Sequence, residues 1–175
     1  MKKTVLIFIT AVVILGVGFW IYNNNKSISP VNCDPGPCVA ASIEYKNDQY
    51  GFTFSLPASW KGYSIITEKW EGFDLIQQSP KGQVISEQGP EILIRNSKWT
   101  SQAPYQDIPI MIFIINQWND LQTDKFHIGA APINPSELGR NNKYVFALPA
   151  RYNFAYPEGF QEVEQILSTN PLHAQ

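Results

Sequence analysis

Apolar and polar positions alternate over residues 49–56, where Tyr50, Phe52, Phe54 and Leu56 interleave with Gly51, Thr53 and Ser55. A strand with one buried face requires that period of two. Pro57 cannot donate to a ladder, so the strand ends there and Trp60 folds back as an apolar plug. Upstream, the pattern predicts a short strand over 43–45 and a turn over 46–49. Downstream it predicts strands over 62–66 and 72–77 joined by 67–71, turns at 79–82 and 87–90 around a short strand or loop at 83–86, and a strand over 91–95.

Residues 96–107 show no period and read as an irregular insertion. The run 109–115 is apolar on both faces, which marks a central strand covered on both sides, and it is too short to span a membrane. A helical turn around Trp118 and Leu121 is predicted within 116–124, followed by a strand over 126–130. Asn134, Pro135 and Gly139 carry cap, first-turn and stop signals, so one helical turn is predicted over 134–139. Strands are predicted over 144–148 and 151–154, around Pro149. Phe160, Val163, Ile166 and Leu167 sit at helical spacing, predicting a helix over 159–168 that packs on the sheet. Residues 171–175 read as a frayed tail. The fold class expected is α+β, mainly antiparallel sheet flanked by helices, with one domain over 43–170.

Before this domain, Lys2 and Lys3 precede an uncharged apolar run over 4–22. About 19 residues at roughly 1.5 Å each match the hydrocarbon thickness of a bilayer. The paired lysines, against Lys26 alone after the run, predict a single-pass anchor in the cytoplasmic membrane with the N-terminus inside and the body exported. A cleaved signal peptide is the competing reading, but its apolar core normally spans about 7–15 residues and ends in a small-x-small site. Here the run is longer and continues into Ile21, Tyr22 and Asn23. The lipid bilayer is therefore the first expected partner, through residues 4–22.

Residues 23–42 are rich in Asn, Ser, Pro and Gly and read as a linker. Within it, Pro35 and Gly36 occupy the centres of a turn between Cys33 and Cys38, the chain's two cysteines. In an exported segment such a pair implies a disulfide, which for so small a loop contributes roughly 2 kcal/mol. Four intervening residues do not match the usual redox spacing, and His127 and His173 are far from each other in sequence, so neither a redox pair nor a zinc site is indicated.

Composition narrows the partners. The formal net charge is −2 with no basic block, which argues against nucleic acid. Aromatics make up 13% of the chain, a fraction that suits a β-rich domain.

The segment Tyr50-Gly-Phe-Thr-Phe-Ser-Leu-Pro57, followed by Trp60, resembles the opening of the PsbP-like family. The helix over 159–168, after a strand carrying Arg151, is similar to the family's closing element. The resemblance implies an antiparallel sheet between helices, an α/β/α sandwich, and for many bacterial members export on a membrane tether without an assigned activity. It covers the two ends of the domain and leaves 96–142 without a counterpart. The photosynthetic members bind and help assemble photosystem II, but no residue here supports that role, so only fold and location carry over.

No catalytic constellation accompanies this scaffold: GxSxG, HExxH, P-loop and Rossmann glycine patterns are all missing. Ser59-x-Lys61 and Ser79-x-Lys81 fall in predicted turns, where a solvated lysine is the default. Asp120, Asp124 and Asn116 lack the glycine and terminal glutamate of a calcium loop. Glu158, Glu162 and Glu164 suit the start of a helix, and His127 suits a hydrogen-bonded structural role. No cofactor or metal is expected. The sequence reading is a non-catalytic binding or assembly module facing another envelope protein or complex. Its candidate surface is Trp99, Tyr105, Trp118 and Arg140, since aromatics and arginine on irregular segments serve as interface anchors. The same aromatics could instead close the core. A carbohydrate or envelope-polymer binder and a hydrolase with an unrecognised site are the alternatives.

Overall fold

The computed structural model describes residues 42–79, 82–129 and 133–175. The apolar run 4–22 and the Cys33/Cys38 loop lie outside the described residues. In chain order the elements are β1 (Ser42–Asn47), β2 (Phe52–Pro57), a 3-10 turn (Ala58–Trp60), β3 (Ser64–Ser79), β4 (Gly82–Arg95) and β5 (Ile108–Ile114). They continue with α1 (Ile115–Gln122), β6 (Phe126–Ile128), β7 (Ser136–Arg140), β8 (Tyr144–Leu148), α2 (Phe160–Leu167) and β9 (Leu172–Ala174). The strands form a three-stranded sheet, β1-β2-β9, and a six-stranded sheet, β6-β3-β4-β5-β8-β7, with every strand pair antiparallel. This is an α+β domain built mainly of antiparallel sheet, as the patterning predicts.

The opening motif behaves as its period demands. Phe52, Phe54, Leu56 and Trp60 are all fully buried. Gly51 adopts a left-handed φ of +75° in the β1–β2 connection, where Asn47 Oδ1 accepts from Tyr50 N at 3.0 Å. β5 is the hinge between two cores. Ile108, Ile110 and Ile112 join Phe52, Phe54, Trp60, Phe146, Val163 and Leu172 on one side. Met111 and Phe113, which alternate with them, join Trp70, Trp118, Leu121 and Phe126 on the other. The large sheet is thus covered on one face by the small sheet and α2, and on the other by α1.

Several expectations need correction. Residues 67–71 do not join two strands but run inside the continuous β3, because Trp70 must reach the second core. Its ring stacks on Phe113 at a centroid separation of 4.4 Å, and its Nε1 donates to Ile112 O at 2.9 Å. The turn expected at 87–90 is likewise absent, since β4 passes through Gly89 and Pro90. Proline is tolerated because β4 pairs with β5 only over Glu91–Ile94, so at Pro90 the neighbouring strand lies on one side.

Residues 134–139 form no helical turn. Instead Ser136–Arg140 pairs with β8, and Gly139 admits Leu172, whose Cδ2 would stand 3.1 Å from an added Cβ. Pairing outweighs the local capping signal. The strand expected at 151–154 is a succession of turns: Arg151 and Tyr156 are left-handed, Phe154 N donates to Arg151 O at 2.9 Å, and Tyr156 N donates to Asn153 O at 2.8 Å. Arg151 therefore does not sit on a strand, which removes that part of the family pattern. The tail at 171–175 is not frayed, because Leu172–Ala174 adds a third strand to the small sheet and Leu172 is buried.

Candidate functional site

The face of the large sheet that carries Trp70 and Met111 also carries, by strand alternation, Glu68, Glu91 and Leu93. These three, with Pro109, line a cleft of about 400 Å³. Two irregular segments complete its walls: Pro104, Tyr105, Gln106 and Asp107 from the insertion, and Pro149, Tyr152, Ala155 and Pro157 from the loop between β8 and α2. The segments are laced together by Gln106 N donating to Glu158 O at 2.8 Å and by a parallel bridge between Tyr105 and Glu158.

The polar groups of the cleft are unevenly satisfied. Arg95 grips Asp107 with two side-chain nitrogens, Nε at 3.1 Å from both carboxylate oxygens and a terminal nitrogen at 2.7 Å from Oδ2. That hydrogen bonding raises the arginine's already high pKa. The guanidinium carbon also lies 4.0 Å from the centre of the Trp99 ring. Glu68 and Glu91 are direct partners across β3 and β4, and neither side chain accepts a hydrogen bond or forms an ion pair. Burial, then the nearby Glu68 charge, pushes the Glu91 carboxyl above its ordinary range. Gln106 is 5% exposed; its Nε2 donates to Asp107 O and Tyr152 O, while its Oε1 has no partner.

Behind the wall, Tyr105 is held from three sides. Its hydroxyl donates to Glu162 Oε2 at 2.6 Å, Ser59 donates to the other oxygen of Glu162 at 2.5 Å, and Lys98 Nζ lies 5.2 Å over its ring. Burial, followed by the bond to Glu162, pushes the Tyr105 hydroxyl up to about 12. Burial would raise Glu162, yet the bonds from Ser59 and Tyr105 outweigh it and hold its carboxyl below the ordinary value. Gly159, with φ +82°, lets α2 start against the Tyr105 ring, where an added Cβ would be 2.1 Å away.

The residues singled out in the sequence are not brought to one surface. Trp118 is buried in the second core, edge-on to Phe113 at 5.4 Å. Tyr105 belongs to the first core, and Trp99 packs against it. Arg140 is an exposed residue of β7 that donates to Glu137 from two of its three guanidinium nitrogens, Nε at 2.6 Å from Oε1. Of the four, only Tyr105 lines the cleft.

His127 is occupied: Nδ1 lies 2.7 Å from Gly129 O, and Nε2 lies 3.3 Å from Gln83 Nε2. Asp120 pairs with Lys125 at 2.6 Å. No cluster of three or more His, Cys, Asp or Glu suited to a metal occurs among the described residues. Sequence reasoning missed Glu68, Glu91, Gln106 and Tyr152. No local signal marks them: Glu68 and Glu91 face each other only once 67–71 and 87–90 are both read as strand and β3 and β4 are paired in register.

No family model matches the chain, and neither a curated protein nor a solved structure is significantly similar to it. The functional reading therefore rests on the geometry and the sequence alone. No helix among the described residues is long and apolar enough to cross a membrane.

Proposed function

We propose that the chain is a membrane-tethered, extracytoplasmic binding module that holds a ligand or a segment of an envelope partner in the cleft between residues 104–109 and the loop 149–157. The tether is the apolar run 4–22 behind Lys2 and Lys3, and the linker 23–42, with its Cys33–Cys38 disulfide, spaces the domain from the bilayer. The PsbP-like sandwich is the fold we assign, on Tyr50 to Pro57 with Trp60 and on a sheet covered on both faces. One observation carries the binding role: the cleft sets two facing carboxylates, Glu68 and Glu91, between walls of tyrosine and proline. Like charges directly opposite each other destabilise a sheet, so a fold that keeps such a pair retains it for something other than stability.

Ala155 lines the cleft and is exposed, so a tryptophan there would fill the space without disturbing either core. Tagged full-length protein should retain an envelope component from solubilised membranes, and Ala155→Trp should lose it with unchanged circular dichroism. Equal retention by both proteins would refute the cleft. A second reading, binding of a neutral envelope polymer, is favoured by Phe154 and Tyr156, which stand 74% and 68% exposed on the wall loop. Retention on immobilised glycan, lost in the double alanine variant, would select that reading.

A further inference from the structure

We infer that the loop between β8 and α2 is a second membrane contact, through which Phe154 and Tyr156 enter the headgroup region of the bilayer that holds the tether. The inference rests on the tether proposed above and goes beyond the cleft. The two rings are the most exposed large hydrophobic side chains among the described residues, at 74% and 68%, and Ala155 between them is exposed as well. Water favours turning such rings inward. The loop holds them out. Phe154 N donates to Arg151 O at 2.9 Å, Tyr156 N donates to Asn153 O at 2.8 Å, and Asn153 Nδ2 donates to Glu164 Oε1 at 2.7 Å, so the segment is fastened to α2. Arg151 and Tyr156 keep left-handed φ values of +57° and +47°, a conformation that bulky side chains rarely adopt. Backbone strain retained where two rings are turned to solvent points to a working surface.

The point where the chain leaves the domain identifies the occupant. Ser42, the first described residue, lines a groove with Glu162 and Ile166 of α2. Tyr156 packs edge-on to Phe160 of the same helix, with ring centres 5.1 Å apart. The exit towards the tether and the aromatic loop therefore flank one short helix, which at its eight residues is about 12 Å long. Even at full extension the linker 23–42 reaches at most roughly 70 Å, so the loop meets lipid at high effective concentration. Phenylalanine and tyrosine suit the headgroup region, where a ring finds apolar surroundings and a phenol finds water. Charge does not drive this contact: the loop carries one cation, Arg151, against Glu158 and Glu164 beside it, so anionic headgroups are not required. Because Ala155 also lines the cleft, a docked loop sets the cleft at the membrane surface.

The test is fluorescence of the full-length protein reconstituted in phosphatidylcholine vesicles, with and without lipid that carries a nitroxide quencher on its headgroup. An environment-sensitive dye is attached through Ala155→Cys or, as a control, Gln83→Cys, each in a chain that also carries Cys33→Ser and Cys38→Ser. Gln83 is an exposed residue roughly 25 Å further along β4 than Glu91, which lines the cleft. Nitroxide lipid should quench the dye at position 155 at least twofold more than the dye at position 83. Phe154→Ala combined with Tyr156→Ala should reduce that quenching to the control level at an unchanged melting temperature, since both side chains are exposed. Added phosphatidylglycerol and high salt should leave it unaltered. Quenching at position 155 no greater than at position 83, or quenching that survives the double substitution, would overturn the inference, and so would quenching that requires phosphatidylglycerol and disappears in salt. A dye that responds to a neutral chitin oligomer and not to lipid would overturn it in favour of the glycan reading. Flotation with the vesicles separates the failures: a chain that does not float loses both tether and docking, whereas a floating chain with an unquenched dye loses the docking alone and leaves the tether and the cleft standing.

Discussion

The indole of Trp70 lies against the backbone of Gly89, its direct partner across β3 and β4. A Cβ at residue 89 would stand 2.5 Å from three atoms of that ring, too close for either strand to accept without moving. The ring itself is pinned by Phe113 and by its bond to Ile112 O. Gly89→Ala should therefore cost about 1–3 kcal/mol, the usual range for overpacking a core. Urea unfolding monitored by tryptophan fluorescence would measure it, and Trp70→Phe combined with Gly89→Ala should recover part of the loss. Additive costs in the double variant would exclude the clash.

Tyr105 and Glu162 make a second, pH-dependent joint between the insertion and α2. Tyr105 loses its proton at about 12 in the folded protein, against an ordinary value of 10.0. Because the folded state holds that proton more tightly, the associated stability is complete below pH 10 and is lost as pH rises towards 12. Wild type should lose up to about 2 kcal/mol across that interval relative to Tyr105→Phe. Parallel alkaline unfolding curves for the two proteins would disprove the joint. Glu162 works in the opposite sense: its lowered pKa adds stability above the ordinary carboxylate range, which is lost on acidification.

Much of this architecture is legible in the residues, and the failures share a cause. The alternation through Phe52, Phe54 and Leu56 and the two-sided apolar run of β5 report burial on a single strand, so period alone exposes them. Gly89 and Pro90 look like a turn because their reason for being in a strand is Trp70, nineteen positions earlier and on another strand. Leu172 looks like a tail residue because its partner, Phe54, lies at the other end of the domain. The cleft was hidden for the same reason. Glu68 and Glu91 become neighbours only when β3 and β4 are paired in register, and Gln106 becomes an orphan only when Tyr152 and Asp107 claim its amide.

The third strand of the small sheet should carry weight in folding. Leu172 is 6% exposed among the residues of the first core, and Ser55 N and Gln175 N bond to Pro171 O and Gly51 O, both at 2.9 Å. Leu172→Ala is expected to cost about 2–4 kcal/mol, while His173→Ala, with an exposed side chain, should stay within about 0.5 kcal/mol. Thermal melts of the two variants would distinguish a docked strand from a tail, since a tail predicts no difference between them.

The tether makes its own claim on chemistry. Exported protein, denatured without reductant, should show no free thiol at Cys33 or Cys38, and reduction should release both. Two reactive thiols before reduction would eliminate the disulfide. Since the proposed disulfide would close a loop of the linker and not of the domain, its loss should leave the melting temperature of the domain unchanged.

Glu91 provides the sharpest separation of stability from function. Its folded-state pKa is raised, chiefly by burial and then by the charge of Glu68, so folding favours the protonated form. The domain is therefore least burdened below the ordinary carboxylate pKa and loses stability as pH rises through the shifted value. At neutral pH the ionised residue opposes folding, and Glu91→Gln should stabilise the domain by about 0.2–1 kcal/mol, the range for a cross-strand pair. The gain should vanish near pH 3, where Glu91 is neutral in both folded and unfolded chains. Chemical unfolding of the two proteins at pH 3 and pH 7 would measure the difference directly. A destabilised Glu91→Gln at pH 7 would mean that the carboxylate is held by interactions within the domain, and the cleft would then have no unspent charge to offer a ligand.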